Sequence, residues 1–153
     1  MIADREIALA LRSDARRIAM MSRDLVEHGL GWRWTEPRIL RVMRDAAINV
    51  VVARDKGEIA GFAIMQYKDD EAHLLLLAVD PLCRRRHVGR DLMAWLENTA
   101  LTAGIGCIYL EARSRNAGAR AFYAGLGYLE VRTVPHLYSN EEDGVRLAKD
   151  LWK

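Results

Sequence analysis

Apolar residues recur along the chain with two periods, and each change of period marks a new element. From Ser13 onward, Ile18, Met21, Leu25 and Val26 fall on one face at spacings of three and four, which predicts a helix. Ser13 is placed to cap it and Gly29 to stop it. The stretch 5–11 before it reads as a strand or the approach to one. Residues 31–35 (GWRWT) form an aromatic loop, and Thr35 followed by Pro37 predicts a second helix running to about Asp45. The middle of the chain has strand character. Segments 49–54, 58–67 and 71–79 are separated by turn signals at Asp55-Lys56-Gly57 and Asp69-Asp70. The unbroken apolar run 74–79 predicts a central strand covered on both faces. Helical spacing returns at Val88, Leu92, Trp95, Leu96 and Thr99 and ends at Gly104 and Gly106. A buried strand at 107–112, an alanine-rich helix at 116–126 and two closing strands at 127–133 and 144–151 complete the chain. The order β α α β β β α β α β β is an α+β layout with a mixed, strongly twisted sheet. With no repeat or linker, residues 1–153 read as a single domain.

Composition narrows the class. A chain of 153 residues, 51% hydrophobic and 29% charged, is long enough to bury a core without disulfides and too apolar to be disordered. The run 74–79 is too short to span a bilayer, so no membrane partner is expected. The first residues mix acids with bases and hold no apolar stretch of signal length, which argues against export. Cys83 and Cys107 have neither CxxC nor metal-ligand spacing, so reduced thiols, a cytoplasmic location and no metal are the expectation. Net charge is +2, from 23 basic and 21 acidic residues, too balanced for a general nucleic-acid binder.

Two constellations carry chemistry. In the first, the strand ending at Val79 meets Asp80-Pro81, then Arg84, Arg85, Arg86, His87, Val88, Gly89 and Arg90 lead into a helix. Backbone N–H groups at a helix start lack internal partners, and the macrodipole is positive there. Four arginines deepen the potential, so a pyrophosphate fits. Gly89 would let phosphate oxygens approach the main chain. A solvated basic turn or a nucleic-acid patch is the alternative. GxxxxGK[ST] is absent, so this is not a P-loop. In the second, Glu111 interrupts an apolar strand and Tyr123 lies on the helix that follows. If strand and helix are neighbours, a carboxylate and a phenol converge on one cleft as base and acid. The alternatives are an ion pair of Glu111 with Arg113 or Arg120, and core packing of Tyr123. Burial predicts that Glu111 titrates above an exposed glutamate. Asn116 is placed as a helix cap.

Together these segments resemble the GCN5-related N-acetyltransferase (GNAT) superfamily. The family's phosphate pattern [QR]-x-x-G-x-[GA] after a V-x-P strand end is met by Arg84-Arg85-Arg86-His87-Val88-Gly89, with His87 where the family has its central glycine. The pattern N-x-x-A-x-x-x-Y-x-x-x-G-[FY] is met by Asn116, Ala119, Tyr123, Gly127 and Tyr128. The tail 132–138 (RTVPHLY), the acidic turn Glu141-Glu142-Asp143 and the last strand also look like the family's closing region. The resemblance runs from about Asn49 to the C-terminus. Leu-Glu-x-Arg-x-x-Asn followed by Tyr is closest to the ribosomal-protein-alanine acetyltransferases.

The resemblance implies a sheet flanked by helices and splayed where strands 74–79 and 107–112 part. Acetyl-CoA would lie in that cleft as co-substrate. Its pantetheine would sit along Leu77, Ala78 and Val79, its pyrophosphate over residues 85–90 beside Arg84, with Asn116 also at the cofactor. Transfer would be direct, to a protein N-terminus, a lysine or a small amine. Glu111 would act as general base and Tyr123 as general acid, with backbone N–H near Val79 holding the oxyanion. The resemblance does not reach residues 1–48; there the 31–35 loop is the expected acceptor grip, because loops on a rigid scaffold carry specificity, with Trp32 and Trp34 closing over the acceptor or, as the alternative, one of them packing into the core. Glu27 and Glu36 lie near enough to attract a cationic amine, but Arg33 and Arg38 oppose them, so charge alone does not choose the substrate. A homodimer is left open. The rival is a CoA-binding or protein-binding module of the same fold without turnover, and His87 is the feature that would support it.

Overall fold

The computed structural model describes residues 5–84, 86–138 and 142–152. Arg85 and Glu141 of the sequence patterns therefore lie outside the described residues. The elements are β1 (Arg5–Leu9), α1 (Ala15–Met21), α2 (Glu36–Val42), β2 (Ile48–Asp55), β3 (Glu58–Lys68), β4 (Glu71–Val79), α3 (Val88–Thr102), β5 (Cys107–Arg113), α4 (Ala117–Gly125), β6 (Leu129–Tyr138) and β7 (Glu142–Asp150). Their order is the one the hydrophobic pattern predicts, an α+β fold. Seven strands form one sheet, β1-β2-β3-β4-β5-β7-β6. The β4–β5 junction is parallel and the others are antiparallel. No helix among the described residues is long and apolar enough to cross a membrane.

The sheet separates two cores. Alternation along β3 sends Ala63 and Met65 to one face, against Leu92, Met93 and Leu96 of α3. It sends Phe62 and Ile64 to the other, against Ile18 and Met21 of α1 and Ile39 of α2. In β4 this alternation is broken once. Met65 pairs with Leu74 but Ile64 pairs with Leu76, so Leu75 is an extra residue, a β-bulge. One extra residue exchanges the faces of everything after it. Leu74 joins the α3 core before the bulge, Leu77 and Val79 join it afterwards, and Leu76 and Ala78 turn to the α1–α2 core. The run 74–79 is thus covered on both faces, as expected.

The parallel pairing stops at the same place. Its register runs from Glu71↔Cys107 to Leu74↔Leu110 and no further. Beyond it, β5 continues with β7 as partner as far as Arg113. The edge of β4 that faces β5 is unpaired over 75–79, and a gap opens in the middle of the sheet.

The turn from β4 into α3 is tightly seated. The Asp80 carboxylate accepts from Leu82 N at 2.9 Å and pairs with Arg17 at 2.9 Å. A Cβ on Gly89 would lie 3.0 Å from the Phe122 ring, so this glycine is needed for packing of α3 on α4. His87 has φ 62° and ψ 23°, the left-handed region. This accounts for a glycine at that position in the family pattern: the backbone conformation suits glycine, and here a histidine adopts it.

Local differences from the sequence reading have identifiable causes. The start of α1 is anchored by Asp14 rather than Ser13. Asp14 accepts from Leu11 N at 2.8 Å and pairs with Arg54 at 2.8 and 3.1 Å. The end of α1 runs into a π-helical turn, Ser22–Val26. β6 extends past 133 to Tyr138, because residues beyond Val134 continue to pair with β7.

The left-handed His87 yields a test. An L-residue there costs about 1–2 kcal/mol, and glycine gives back about 0.5–1 kcal/mol through a freer unfolded chain. His87→Gly is expected to leave unfolding stability unchanged or to raise it by up to about 1 kcal/mol. Denaturant unfolding measures this, and a clear loss would mean that the imidazole supports the turn.

Candidate active site at the β4–β5 gap

Along β5, Ile108, Leu110 and Ala112 point into the α3 core. Tyr109, Glu111 and Arg113 therefore point to the opposite face. There the Glu111 carboxylate is held at both oxygens. Oε1 lies 2.7 Å from His73 Nε2 of β4, and Oε2 accepts from Arg146 Nε of β7 at 2.7 Å. Neither Arg113 nor Arg120 is its partner. Arg120 binds Glu130, and Arg113 reaches the chain after α1. Burial pushes the Glu111 carboxyl up, but His73 and Arg146 together outweigh it and hold Glu111 below its ordinary value. The expectation of an elevated Glu111 is corrected for that reason: a half-buried carboxylate between two cation-capable partners stays ionised.

Tyr123 comes from the other side of the sheet. It is 7% exposed and lies in the α3 core. Its ring meets Phe122 edge-on at 5.0 Å and Tyr128 at 5.8 Å. Its hydroxyl has no hydrogen-bond partner among the described residues. Burial raises the phenol well above its ordinary value, with a smaller push from Tyr138, so it carries its proton at neutral pH. Tyr138 lies at the end of β6, with the Arg113 guanidinium 5.8 Å from its ring. Burial pushes its phenol up to about 12, and Glu111 adds to the rise.

The cofactor-side residues divide into backbone and side-chain donors. Leu77, Ala78, Val79, Val88 and Gly89 turn their side chains or packing faces into the two cores, so only their main chain is free to meet a ligand. The first intrahelical bond of α3 is Asp91 N to His87 O, which leaves the N–H groups of Val88, Gly89 and Arg90 without helical acceptors. Arg84, Arg86, His87 and Arg90 are exposed around them. Asn116 caps α4, its Oδ1 accepting from Ala119 N at 3.0 Å.

The acceptor side is changed most by the structure. Trp34 is 9% exposed, packs in the α1–α2 core and lies under the Arg38 guanidinium at 3.9 Å. It is a packing residue, which corrects its assignment to the acceptor. Trp32 is 42% exposed, and its Nε1 donates to Ala19 O at 3.2 Å. Glu27 is buried too. It accepts from Ser22 Oγ at 2.9 Å, Arg33 N at 2.7 Å and Trp34 N at 3.2 Å. Its charge is spent on shaping the loop and is not offered to an amine. Arg113 Nη2 donates to Val26 O and His28 O at 2.9 and 2.7 Å, tying this loop to β5 beside Glu111. Two cavities of about 350 and 310 Å³ lie around Ala46 and Asn49 and include none of these residues.

Sequence reasoning missed His73, Arg146 and Tyr138. Each left a signal. His73 and Arg146 are polar residues inside alternating apolar strands, as Glu111 is, and Tyr138 closes the tail 132–138.

Comparison with known proteins agrees with this geometry. The Acetyltransferase (GNAT) family matches residues 12–128. The ribosomal protein bS18-alanine N-acetyltransferase of Salmonella typhimurium is 34% identical over 118 residues, which is 75% of this chain and 79% of that protein. The crystal structure of the corresponding Escherichia coli enzyme superposes with a TM-score of 0.80 at 26% identity, covering 96% of this chain and 94% of that one. A Salmonella typhimurium acetyltransferase solved with acetyl-CoA has the same fold, with a TM-score of 0.80, 19% identity and coverage of 97% and 94%. The splayed sheet, the match over most of the chain and the 34% identical relative lead to one conclusion: this chain belongs to the acetyltransferase (GNAT) family of acetyl-CoA-dependent N-acetyltransferases.

Proposed function

We propose that the chain acetylates the α-amine of a protein N-terminus by direct transfer, with Glu111 as proton acceptor and Tyr123 as proton donor. The observation that carries this is their placement. Glu111 is held at 2.7 Å by His73 and Arg146 just past the last β4–β5 pair, and Tyr123 lies in the α3 core on the other side of the sheet, its proton retained by burial. The choice of acceptor rests on the relative that acts on a ribosomal-protein alanine. The acceptor side, bounded by Trp32 and by the loop that Arg113 ties down, suits a chain end laid across an open face.

The residues present fit acetyl-CoA. The unpaired edge of β4 over 75–79 offers backbone partners to an amide chain, and the free N–H groups of Val88, Gly89 and Arg90 suit a pyrophosphate. Arg84, Arg85, Arg86 and Arg90 would add charge there. Acetyl-CoA, when bound, supplies the activated thioester. Glu111, held ionised by Arg146 and His73, would take the ammonium proton through water. Main-chain N–H near Val79 would stabilise the oxyanion. Tyr123 would return a proton to the departing sulfur. Cys83 lies in the turn before α3 and Cys107 at the start of β5, so neither is offered as an acyl carrier. The rival reading, a module without turnover, loses support because His87 keeps the left-handed backbone that the family's glycine would have.

Release of CoA thiol from acetyl-CoA is expected with peptides bearing a free N-terminal alanine and not with the same peptides N-terminally blocked. Acetylation of lysine or small amines alone would overturn the acceptor, and no release with any amine would favour the non-catalytic module. Tyr123→Phe is expected to lower kcat by about 10²–10⁴-fold with KM for acetyl-CoA nearly unchanged. An unchanged kcat would leave Tyr123 as a packing residue.

A further inference from the structure

Beside the pair already assigned lies a histidine that the mechanism has not used. We propose that His73 is a positioning residue for Glu111, donating its Nε2–H to Oε1 and fixing the carboxylate at the mouth of the gap. The inference rests on the reading of Glu111 as proton acceptor and extends it to the residue that aims it.

The geometry carries the proposal. Glu111 is gripped on both oxygens at 2.7 Å, by His73 Nε2 and by Arg146 Nε. These grips are not equivalent. A guanidinium only donates and never loses its proton. An imidazole can donate from one nitrogen while the other stays free to take a proton. The ring is locked: it stacks on Tyr109 at 4.3 Å and 16°, and Tyr109 also meets the Arg146 guanidinium at 5.0 Å. His73 is opposite Tyr109 in the last stretch of β4–β5 pairing, one residue before the strands part. The His73–Glu111 bond therefore spans the two strands at the vertex of the gap. The His73 side chain is 25% exposed. Its Nδ1 has no partner among the described residues and is not among the sealed, unsatisfied atoms, so water reaches it.

The charged and polar groups around His73 are few. They are Glu111 and Tyr109 on β5, Arg146 on β7, Glu71 on its own strand and Gln66 opposite it on β3. The π-helical turn that packs on β4 carries the apolar Leu25 and Val26 and the charged Arg23 and Asp24, which pair with each other at 2.9 Å. Neutral His73 aims Glu111 and adds no charge. Protonation at Nδ1 places a second cation against a carboxylate already bound to Arg146, which makes Glu111 a weaker acceptor.

Three variants and one spectrum test this. His73→Ala loses the aim, and kcat is expected to fall by at least about tenfold, since small misplacements cost up to about 10²-fold. His73→Gln keeps an N–H donor at similar reach but cannot titrate. It is expected to retain kcat within a few-fold above neutrality while its acidic limb moves to lower pH. Wild-type kcat and an unchanged profile in both variants would overturn the proposal. Imidazole ¹⁵N spectra supply a readout independent of turnover. Where the imidazole is neutral, His73 is expected as the Nε2–H tautomer, with that preference weakened in Glu111→Gln, and an Nδ1–H tautomer would overturn the proposal even if Ala and Gln fold poorly. A wild-type chain inactive on every amine would instead overturn the parent reading, leaving the tautomer to decide whether His73 holds Glu111.

Discussion

One bulged residue, Leu75, sets the geometry on which the site depends. Up to Leu74 the strand β4 is an ordinary member of a sheet, with β3 on one side and β5 on the other. At Leu75 the strand gains a residue, its faces exchange, and its pairing with β5 ends. A strand with an unpaired edge in the interior of a sheet leaves N–H and C=O groups that demand partners. Here that edge runs from the vertex, where His73 and Glu111 meet, to the basic turn and the start of α3. A ligand with an amide-bearing arm and a phosphate head satisfies both ends at once. The seven strands and two cores hold the vertex open: β5 is retained by β7, and β4 by β3 and α3.

The two proposed proton carriers have opposite electrostatics, and the asymmetry suits the transfer proposed. On one face a carboxylate is kept ionised by a guanidinium and an imidazole, despite burial. On the other a phenol is kept protonated chiefly by burial. Opposite shifts are how acid and base are told apart, and the proposed acid and base carry them. Tyr138 is likewise neutral at physiological pH, its phenol raised by burial with a smaller push from Glu111.

Much of this was legible in the residues. The order of strands and helices followed from period changes, because each element buries one face against a shared sheet. Glu111 stood out because a carboxylate inside LEAR needs a partner, and Tyr123 because it falls at a fixed distance from Asn116. What the chain could not show was which partner Glu111 takes. The candidates near in sequence, Arg113 and Arg120, were the wrong ones, because the partners lie on neighbouring strands 35 and 38 residues away. The bulge at Leu75 was also hidden, since an unbroken run of leucines has no polar marker to show where the faces exchange. The two tryptophans were read as a pair. Only the path of the loop around buried Glu27 separates Trp34, in the core, from Trp32, half exposed.

The central claim is that the gap between β4 and β5 receives acetyl-CoA along its unpaired edge. Amide hydrogen exchange with and without acetyl-CoA tests it most directly. Slower exchange is expected at the gap-facing amides of 75–79 and at Val88, Gly89 and Arg90, with little change at Asn49 or Tyr67. Unchanged exchange throughout, or protection confined to the region of Asn49 and Tyr67, would contradict it.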